Sequence, residues 1–422
     1  MDNIHHFCQG DSHKVTNKPC QDYAYSESNE YLSMAIVSDG HGGERYFRSQ
    51  IGSELAVNIT KEAIRNFVCS MEEASLNDKN TLSVFEDAPF TSFSQATASE
   101  EQFETNAHQS LMWLFSHIIN QWNMAIEKDA HERELTEWEL ENVDKKYIDE
   151  FLAKKQQENS SFEKTYGCTL MAYVQTPRYW FAFHLGDGKC ITMHLNDGKL
   201  VCQQPIPWDE KCFLNKTTSL CDSNVLEEFR YCYQGNGECN FPIAVFLGSD
   251  GLDDSYGDGD NLHNFYIQLF KIIIRNGKEK ALKELEKSLP IISQRGSKDD
   301  MSVACIFKTE AQKTIFFQLI DYQLSKTEEA FNNVESKIME LDVKIENFGN
   351  PEILDKSQQI NLEYAKKDLA KAKELAKKLD YKQRALKGEL TKFKSKFENN
   401  DTNNELLEDE ESTLNINVSE SE

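Results

Sequence analysis

Three short segments of this chain place carboxylates where chemistry could use them. In Ser38-Asp39-Gly40-His41-Gly42-Gly43 an acid ends an apolar run, and the glycines after it leave the backbone open to metal, water or substrate. Phe246-Leu247-Gly248-Ser249-Asp250-Gly251-Leu252-Asp253-Asp254 repeats that pattern, and Arg295-Gly296-Ser297-Lys298-Asp299-Asp300-Met301-Ser302-Val303 sets two acids directly before another apolar run. Each segment alone reads as a turn held by an Asx hydrogen bond. Together, three acids at neighbouring strand ends repel one another unless a cation lies between them. Mixed carboxylate, carbonyl and water ligation suits Mg²⁺ or Mn²⁺ better than zinc. Asp187, in Leu185-Gly186-Asp187-Gly188, reads equally well as a tight-turn residue and as a metal ligand. His41 lies inside a glycine turn and not on an apolar face, which favours a functional role. Asp253 and Asp254 read as caps of the following segment, and His5, His6 and His184 as ordinary histidines.

The elements that must position these residues follow from periodicity. Tyr31 to Val37 is a buried strand running into the Asp39 turn, and Ile51, Leu55, Ile59 and Ile64 give the next segment a helical apolar face through Val68. Residues 71 to 105 are polar and Ser-rich and read as a surface insertion. A helix is expected over about 107 to 127, continuing through an exposed charged stretch to about 163. Strands are expected at Thr169 to Val174, Tyr179 to Leu185, Lys189 to His194, Pro242 to Leu247 and Met301 to Phe307, with helices at Phe265 to Ile274 and Glu279 to Ser288. Strands grouped in sequence favour an α+β architecture over alternating βαβ units.

Beyond about Lys308 the character changes. Leu324, Thr327, Phe331, Val334, Ile338, Leu341, Ile345 and Phe348 repeat at spacings of three and four, the seam of a coiled coil. Gly349-Asn350-Pro351 breaks the helix, and Leu362, Ala365, Leu369, Ala372, Ala376, Leu379, Gln383, Leu386, Leu390, Phe393 and Phe397 resume the spacing. An antiparallel hairpin over 311–398 is the natural reading, followed by an acidic, disordered tail over 399–422. The hairpin is expected to serve a protein partner or self-association.

The formal charge of −25 over 422 residues sets aside nucleic acid and anionic membrane as partners, and no apolar run is long enough to span a bilayer. The 11 cysteines contain no Cys-x-x-Cys pair, and the chain starts without a basic or apolar leader, so a reducing, cytoplasmic setting is expected. Cys212, Cys221, Cys232 and Cys239 match no zinc spacing and read as free thiols.

Taken in order, Gln21-Asp22, Ser38 to Gly43, Gly167-Cys168-Thr169, Gly186-Asp187, Ser249 to Gly251 and Gly296 to Val303 resemble the motifs of type 2C metal-dependent serine/threonine phosphatases over about residues 4 to 308. Gly10-Asp11-Ser12-His13 with Pro19-Cys20-Gln21-Asp22 is similar to the bacterial-type subgroup. The resemblance implies a four-layer α/β/β/α sandwich over 1–310. It also implies two divalent cations, Mn²⁺ or Mg²⁺, with Asp39 bridging them, the Gly40 carbonyl on one and Asp250 and Asp299 on the other. Asp22 would act nearby through water, Asp187 would contribute to a third, weaker metal, and His41 would protonate the leaving alkoxide. The implied activity is hydrolysis of phosphoserine and phosphothreonine in phosphoprotein substrates by a metal-activated water, with no covalent intermediate. Gln21 stands where the family commonly has glutamate. Asn17 stands where many relatives have a phosphate-gripping arginine, leaving the phosphate-binding group unassigned among His13, Lys14 and Lys18. Those departures keep open a silent scaffold protein, and the motifs alone also admit a phosphatase for a small phosphorylated molecule.

Overall fold

The computed structural model describes residues 1–77, 85, 90–92, 105–157, 160–212, 217–235, 240–257, 259–349, 351 and 354–398. The expected acidic tail lies outside them. The described residues divide into two compact units, one built on Met1–Leu195 and Val201–Glu310, the other on Ala311 onward with Asn196–Leu200.

In chain order the residues up to Glu310 form β1 (Asp2–Cys8), α1 (Asp11–Thr16), β2 (Asp22–Ser28), β3 (Ser33–Asp39), α2 (Ser49–Asn77) and β4 (Phe90–Ser92). Next come α3 (Asn106–Glu132), α4 (Glu137–Asn142), α5 (Lys145–Lys155), β5 (Leu170–Gln175), β6 (Tyr179–Leu185), β7 (Lys189–Asn196) and β8 (Lys199–Gln203). The unit ends with α6 (Val225–Glu228), β9 (Arg230–Gly235), β10 (Ala244–Gly248), α7 (Asp250–Tyr256), α8 (Gly259–Asn276), α9 (Lys278–Arg295) and β11 (Met301–Phe307).

The strands form a five-stranded sheet ordered β1-β11-β10-β7-β8 and a six-stranded sheet ordered β2-β3-β5-β6-β9-β4, giving an α+β fold with two antiparallel sheets. Period-two alternation in β3 explains how the sheets are covered. Met34 and Ile36 join a core with Ile64 and Phe67 of α2 and Leu111, Phe115 and Ile118 of α3. Ala35 and Val37, on the opposite face, pack with Val245, Leu247, Ala304 and Ile306 of the other sheet. On that sheet's far side Phe246 stacks on Tyr266 of α8 at 4.8 Å. Strands covered on both faces read as continuous apolar runs, which is why β3, β5, β6, β10 and β11 were legible.

Three local expectations are corrected. The charged stretch after α3 is not one continued helix. Thr136 and Glu139 form a capping box that starts α4, and Asp144 caps α5, so the chain turns twice. The segment expected as a surface insertion also contributes to the core. Phe85 is fully buried, stacked on Phe181 at 5.3 Å, and β4 adds a strand beside β9. Finally, β1, β2, β8 and β9 extend the sheets beyond the expected strands.

In the second unit, α10 (Gln312–Asn347) and α11 (Lys356–Glu398) lie antiparallel. Ile338, Ala372 and Ala376 form a buried seam flanked by Phe331, Val334, Leu341 and Leu369. Phe316 meets Phe393 at 4.1 Å near the far end, and Gln383 and Lys387 both reach Glu328. The alanines allow the helices to approach closely.

Candidate active site

Asp39 ends β3, and its position is fixed from both sides. Its N–H donates to Thr169 Oγ1 at 3.0 Å, its carbonyl accepts from Thr169 N at 2.7 Å, and Ser38 Oγ donates to the Thr169 carbonyl. The next residue can only be glycine. A Cβ at Gly40 would stand 2.8 Å from both the Gln21 and Ser49 carbonyl oxygens. Asp250 opens α7 straight after β10. Its strand end is tied to β11 by Ser249 N to Ser302 O at 3.2 Å and Ser302 N to Ser249 Oγ at 3.0 Å. Asp299 projects from the loop before β11, where Ser297 Oγ donates to Gly251 O at 2.8 Å and the Lys298 carbonyl accepts from Ser12 N at 3.0 Å. Asp187 sits in the β6–β7 turn. Gly186 there has φ +122°, its N–H donates to Thr218 Oγ1 at 2.9 Å and its carbonyl accepts from the buried Arg230 at 2.6 Å.

These turns open onto one cavity of about 1330 Å³, whose walls include Asp39, Gly40, His41, Asp187, Asp250 and Asp299. Asp254 also faces it, in addition to its place in α7. Asp22 does not line the cavity. It lies buried opposite Asp39 in the β2–β3 register, its carboxylate oxygens without a well-formed hydrogen bond among the described residues, although the Ser249 and Ser302 side chains lie near enough to favour its charged form.

The electrostatics are those of acids crowded without compensating charge. Burial raises the Asp22 carboxyl well above the carboxylate range, and Asp300 and Asp250 add to the rise. Burial does the same to Asp39, reinforced by Asp22, Asp250 and Asp299. Burial, opposed by a hydrogen bond with Asp39, carries Asp250 to about 7, and Asp187 is raised chiefly by burial. Asp39 and Asp250 thus share a site where both cannot ionise freely. The unpartnered oxygens of Asp22 and Asp250 and this hard oxygen donor set fit divalent cations of the Mg²⁺ or Mn²⁺ kind.

Several residues near the site do structural work. Asp300, adjacent to Asp299, accepts from Gly10 N at 2.6 Å and Gln21 N at 2.5 Å and lies 2.9 Å from His13 Nδ1, so that His13, Asp299 and Asp300 offer ligand atoms within 4.8 Å of one another. Gln21 gives its amide to the His41 carbonyl at 3.0 Å and to the Ser49 hydroxyl, so it braces the glycine turn. Asn17 closes α1 in the left-handed region at φ 52°. Lys18 is the neighbouring cation whose Nζ reaches the turn, donating to Gly42 O at 2.6 Å, and burial lowers its pKa against the opposing pull of Asp300, Asp299 and Asp39. His41 is half-buried, its ring 4.8 Å from Tyr46, and burial lowers it to about 4. Cys212, Cys221 and Cys232 are buried free thiols.

Sequence reading missed Thr218, Ser219 and Arg230, and it noted Thr169 and Asp300 without fixing what they bond. Their partners lie far away in the chain, so no local pattern marks those bonds.

A two-sheet α+β domain whose strand ends gather carboxylates around one open cavity has the donor set of a divalent-cation site. Residues 9–289 match the family model described as Protein phosphatase 2C. The chain belongs to that family, whose members are metal-dependent serine/threonine protein phosphatases. No curated protein sequence matches it. Similar solved structures include the Mycobacterium tuberculosis serine/threonine phosphatase PstP/Ppp, with 14% identity, 72% of this chain and 98% of that chain covered, and a TM-score of 0.37. The catalytic domain of serine threonine protein phosphatase PstP in complex with two manganese ions shares 16% identity over 72% of this chain and 96% of that one, at a TM-score of 0.36. The S. agalactiae serine/threonine phosphatase shares 16% over 72% and 98%, at 0.34. Among the described residues, no helix is long and apolar enough to cross a membrane.

Proposed function

We propose that Asp39, Asp250 and Asp299, with the Gly40 carbonyl, hold two divalent cations, Mn²⁺ or Mg²⁺, for hydrolysis of phosphoserine and phosphothreonine in proteins. Asp22 supports this pair from beneath and Asp187 offers a third, weaker position. The observation that carries the reading is the convergence of Asp39, Asp187, Asp250 and Asp299 on one cavity while their neighbours leave carboxylate oxygens unpartnered. Bound divalent cations supply Lewis acidity to water and to the phosphoryl oxygens.

The chain's own residues do the rest. Gly40 and Gly42 keep the turn open for close approach, and Gln21 and Lys18 hold its carbonyls in place. His41, on the cavity wall, exchanges a proton with the departing serine or threonine oxygen. Lys164 and Lys211 also line the cavity, but Asp222 and Glu228 pair with them at 3.2 and 2.6 Å and Glu163 lies beside them, so the far wall carries no net positive charge. That suits a polypeptide segment better than a highly charged small metabolite.

The reading extends to domain organisation. Residues 1–310 are the catalytic domain, an α/β/β/α sandwich, and 311–398 a coiled-coil hairpin serving partner selection or self-association in a cytoplasmic enzyme.

The test is Mn²⁺-dependent phosphate release from a phosphothreonine peptide. Wild type is expected to turn over, and Asp39→Asn or EDTA treatment to abolish turnover. Folded protein without turnover under any condition would leave only a phosphatase-fold scaffold.

A further inference from the structure

Among the described residues of the cavity wall, Asp250 Oδ1 and Asn123 Oδ1 are buried side-chain oxygens without a hydrogen-bond partner. Divalent cations complete Asp250. Asn123, an uncharged amide on α3, needs another partner. The helix beneath it is pinned: Trp122 Nε1 donates to Gly52 O at 3.0 Å, and Asp129 pairs with Arg48 at 3.3 Å. Leu111, Phe115, Ile118, Trp122 and Ile126 take the buried stripe of α3. Ile119 and Asn123 are four residues apart and so share one face beside that stripe, and both reach the cavity.

The same cavity has an apolar share that a phosphate group does not need. Tyr46, Ile119, Leu220 and Val225 supply it, and Phe115 stacked on Phe229 at 4.5 Å ties the chain just after Val225 to α3. The volume of about 1330 Å³ exceeds the roughly 300–1,000 Å³ of pockets that take a drug-sized ligand, which leaves room for residues on either side of a phosphothreonine. An amide carries an acceptor and two donors in one plane, the complement of a peptide group. A buried amide oxygen left unbonded is costly, and a main-chain N–H entering the cavity removes that cost.

We propose, on the protein-phosphatase reading of this site, that Asn123 is a specificity-determining residue: its amide hydrogen-bonds the main chain of the substrate next to the phosphorylated residue, while Ile119 and Tyr46 cover the adjoining apolar surface. Asn123 takes no part in the chemical step. It distinguishes a phosphorylated polypeptide from a small phosphate ester by a group that every polypeptide has, whatever its side chains.

Full-length wild type, Asn123→Leu and Asn123→Ala are compared with Mn²⁺ on a phosphothreonine peptide, on the same peptide N-methylated at one flanking peptide bond at a time, and on p-nitrophenyl phosphate, which has no main chain. Both variants are expected to lower the ratio of peptide to aryl kcat/KM about three- to tenfold, the loss of one hydrogen bond. In wild type, N-methylation at one flanking position is expected to cost a similar factor, and that cost is expected to vanish in Asn123→Leu. No sensitive position in wild type, or the same cost in wild type and variants, overturns the contact. A proportionate fall on both substrates makes Asn123 part of the frame of the site and overturns its role in specificity. Wild type that hydrolyses p-nitrophenyl phosphate but no phosphopeptide overturns the protein-phosphatase reading, and the proposal with it. Should Asn123→Leu fail to fold, Asn123→Ala carries the comparison, and the wild-type methylation series must still show its one sensitive position.

Discussion

At the scale of single residues, the acids of this site differ in what they cost the fold. Asp22 and Asp39 are held well above the carboxylate range, Asp187 is raised, and Asp250 is held at about 7. A carboxyl with a raised folded pKa binds its proton more tightly in the folded state than in the unfolded one. The metal-free protein therefore loses stability as pH rises from about 4, where the unfolded carboxylates release protons, to about 7. Cations that bind the ionised carboxylates reverse this loss. The rise in Tm on adding saturating Mg²⁺ should be larger at pH 7.5 than at pH 5.5, and Asp250→Asn should shrink that difference. Equal shifts at both pH values in wild type, measured by scanning fluorimetry, would count against the cluster as the cation site. Asp299 and Asp300 show where residue-level reading stops. Side by side, they are chemically alike, yet Asp300 accepts two backbone N–H groups from the first strand's end and the Gln21 segment while Asp299 faces the cavity. Only tertiary pairing across most of the chain separates their roles. Asp300→Ala should lower stability by about 1.5–3 kcal/mol for each charged hydrogen bond lost, measured by urea unfolding, whereas Asp299→Ala should cost metal affinity with little loss of stability.

At the scale of elements, the legible parts were those whose periodicity survives burial. The apolar runs of β3, β5, β6, β10 and β11 and the apolar faces of α2, α3 and α8 stand out because both faces of the strands, or one face of the helix, are covered. β2, reading Asp-Tyr-Ala-Tyr-Ser-Glu-Ser, is half polar, and β9 begins with a fully buried arginine, so neither shows the pattern its position requires. The joints were equally hidden. Arg48, just before α2 and seven residues beyond His41, is fully buried. It bonds Glu139 at 2.7 Å, Asp129 at 3.3 Å, the Tyr166 hydroxyl at 3.2 Å and the Glu134 carbonyl at 3.1 Å, over the Phe151 ring at 4.8 Å. One guanidinium thus ties α2 to α3, α4 and α5 beside the glycine turn. Removing it leaves the buried Glu139 carboxylate without its cation, so Arg48→Ala is expected to destabilise the protein by about 3–5 kcal/mol in denaturant titration. Arg48→Lys should recover little, because an ammonium cannot reproduce the forked bonds.

At the scale of the whole molecule, the hairpin and the catalytic unit are built on different physics. The catalytic unit closes its core through pairings between residues far apart in sequence, such as Asp2 with Phe307 across the β1–β11 ladder. The hairpin closes through a narrow seam of Ile338, Ala372 and Ala376 with flanking Phe331, Val334, Leu341 and Leu369, whose three-and-four spacing can be read directly from sequence. A seam with so few large side chains tolerates no buried charge. Ile338→Asp should therefore reduce helical signal in circular dichroism by loosening α10 and α11, while turnover of p-nitrophenyl phosphate stays near wild type. Truncation after Lys308 should give the same catalytic result by removing the hairpin outright. Because no residue assigned to the chemistry lies beyond Asp299, the expected loss falls on the choice of phosphoprotein substrate, read as a changed order of dephosphorylation rates across a panel of phosphoproteins. If small-substrate turnover instead collapses in both variants, the hairpin is part of what holds the Asp39, Asp250 and Asp299 loops in register, and the boundary between catalysis and targeting lies elsewhere in the chain.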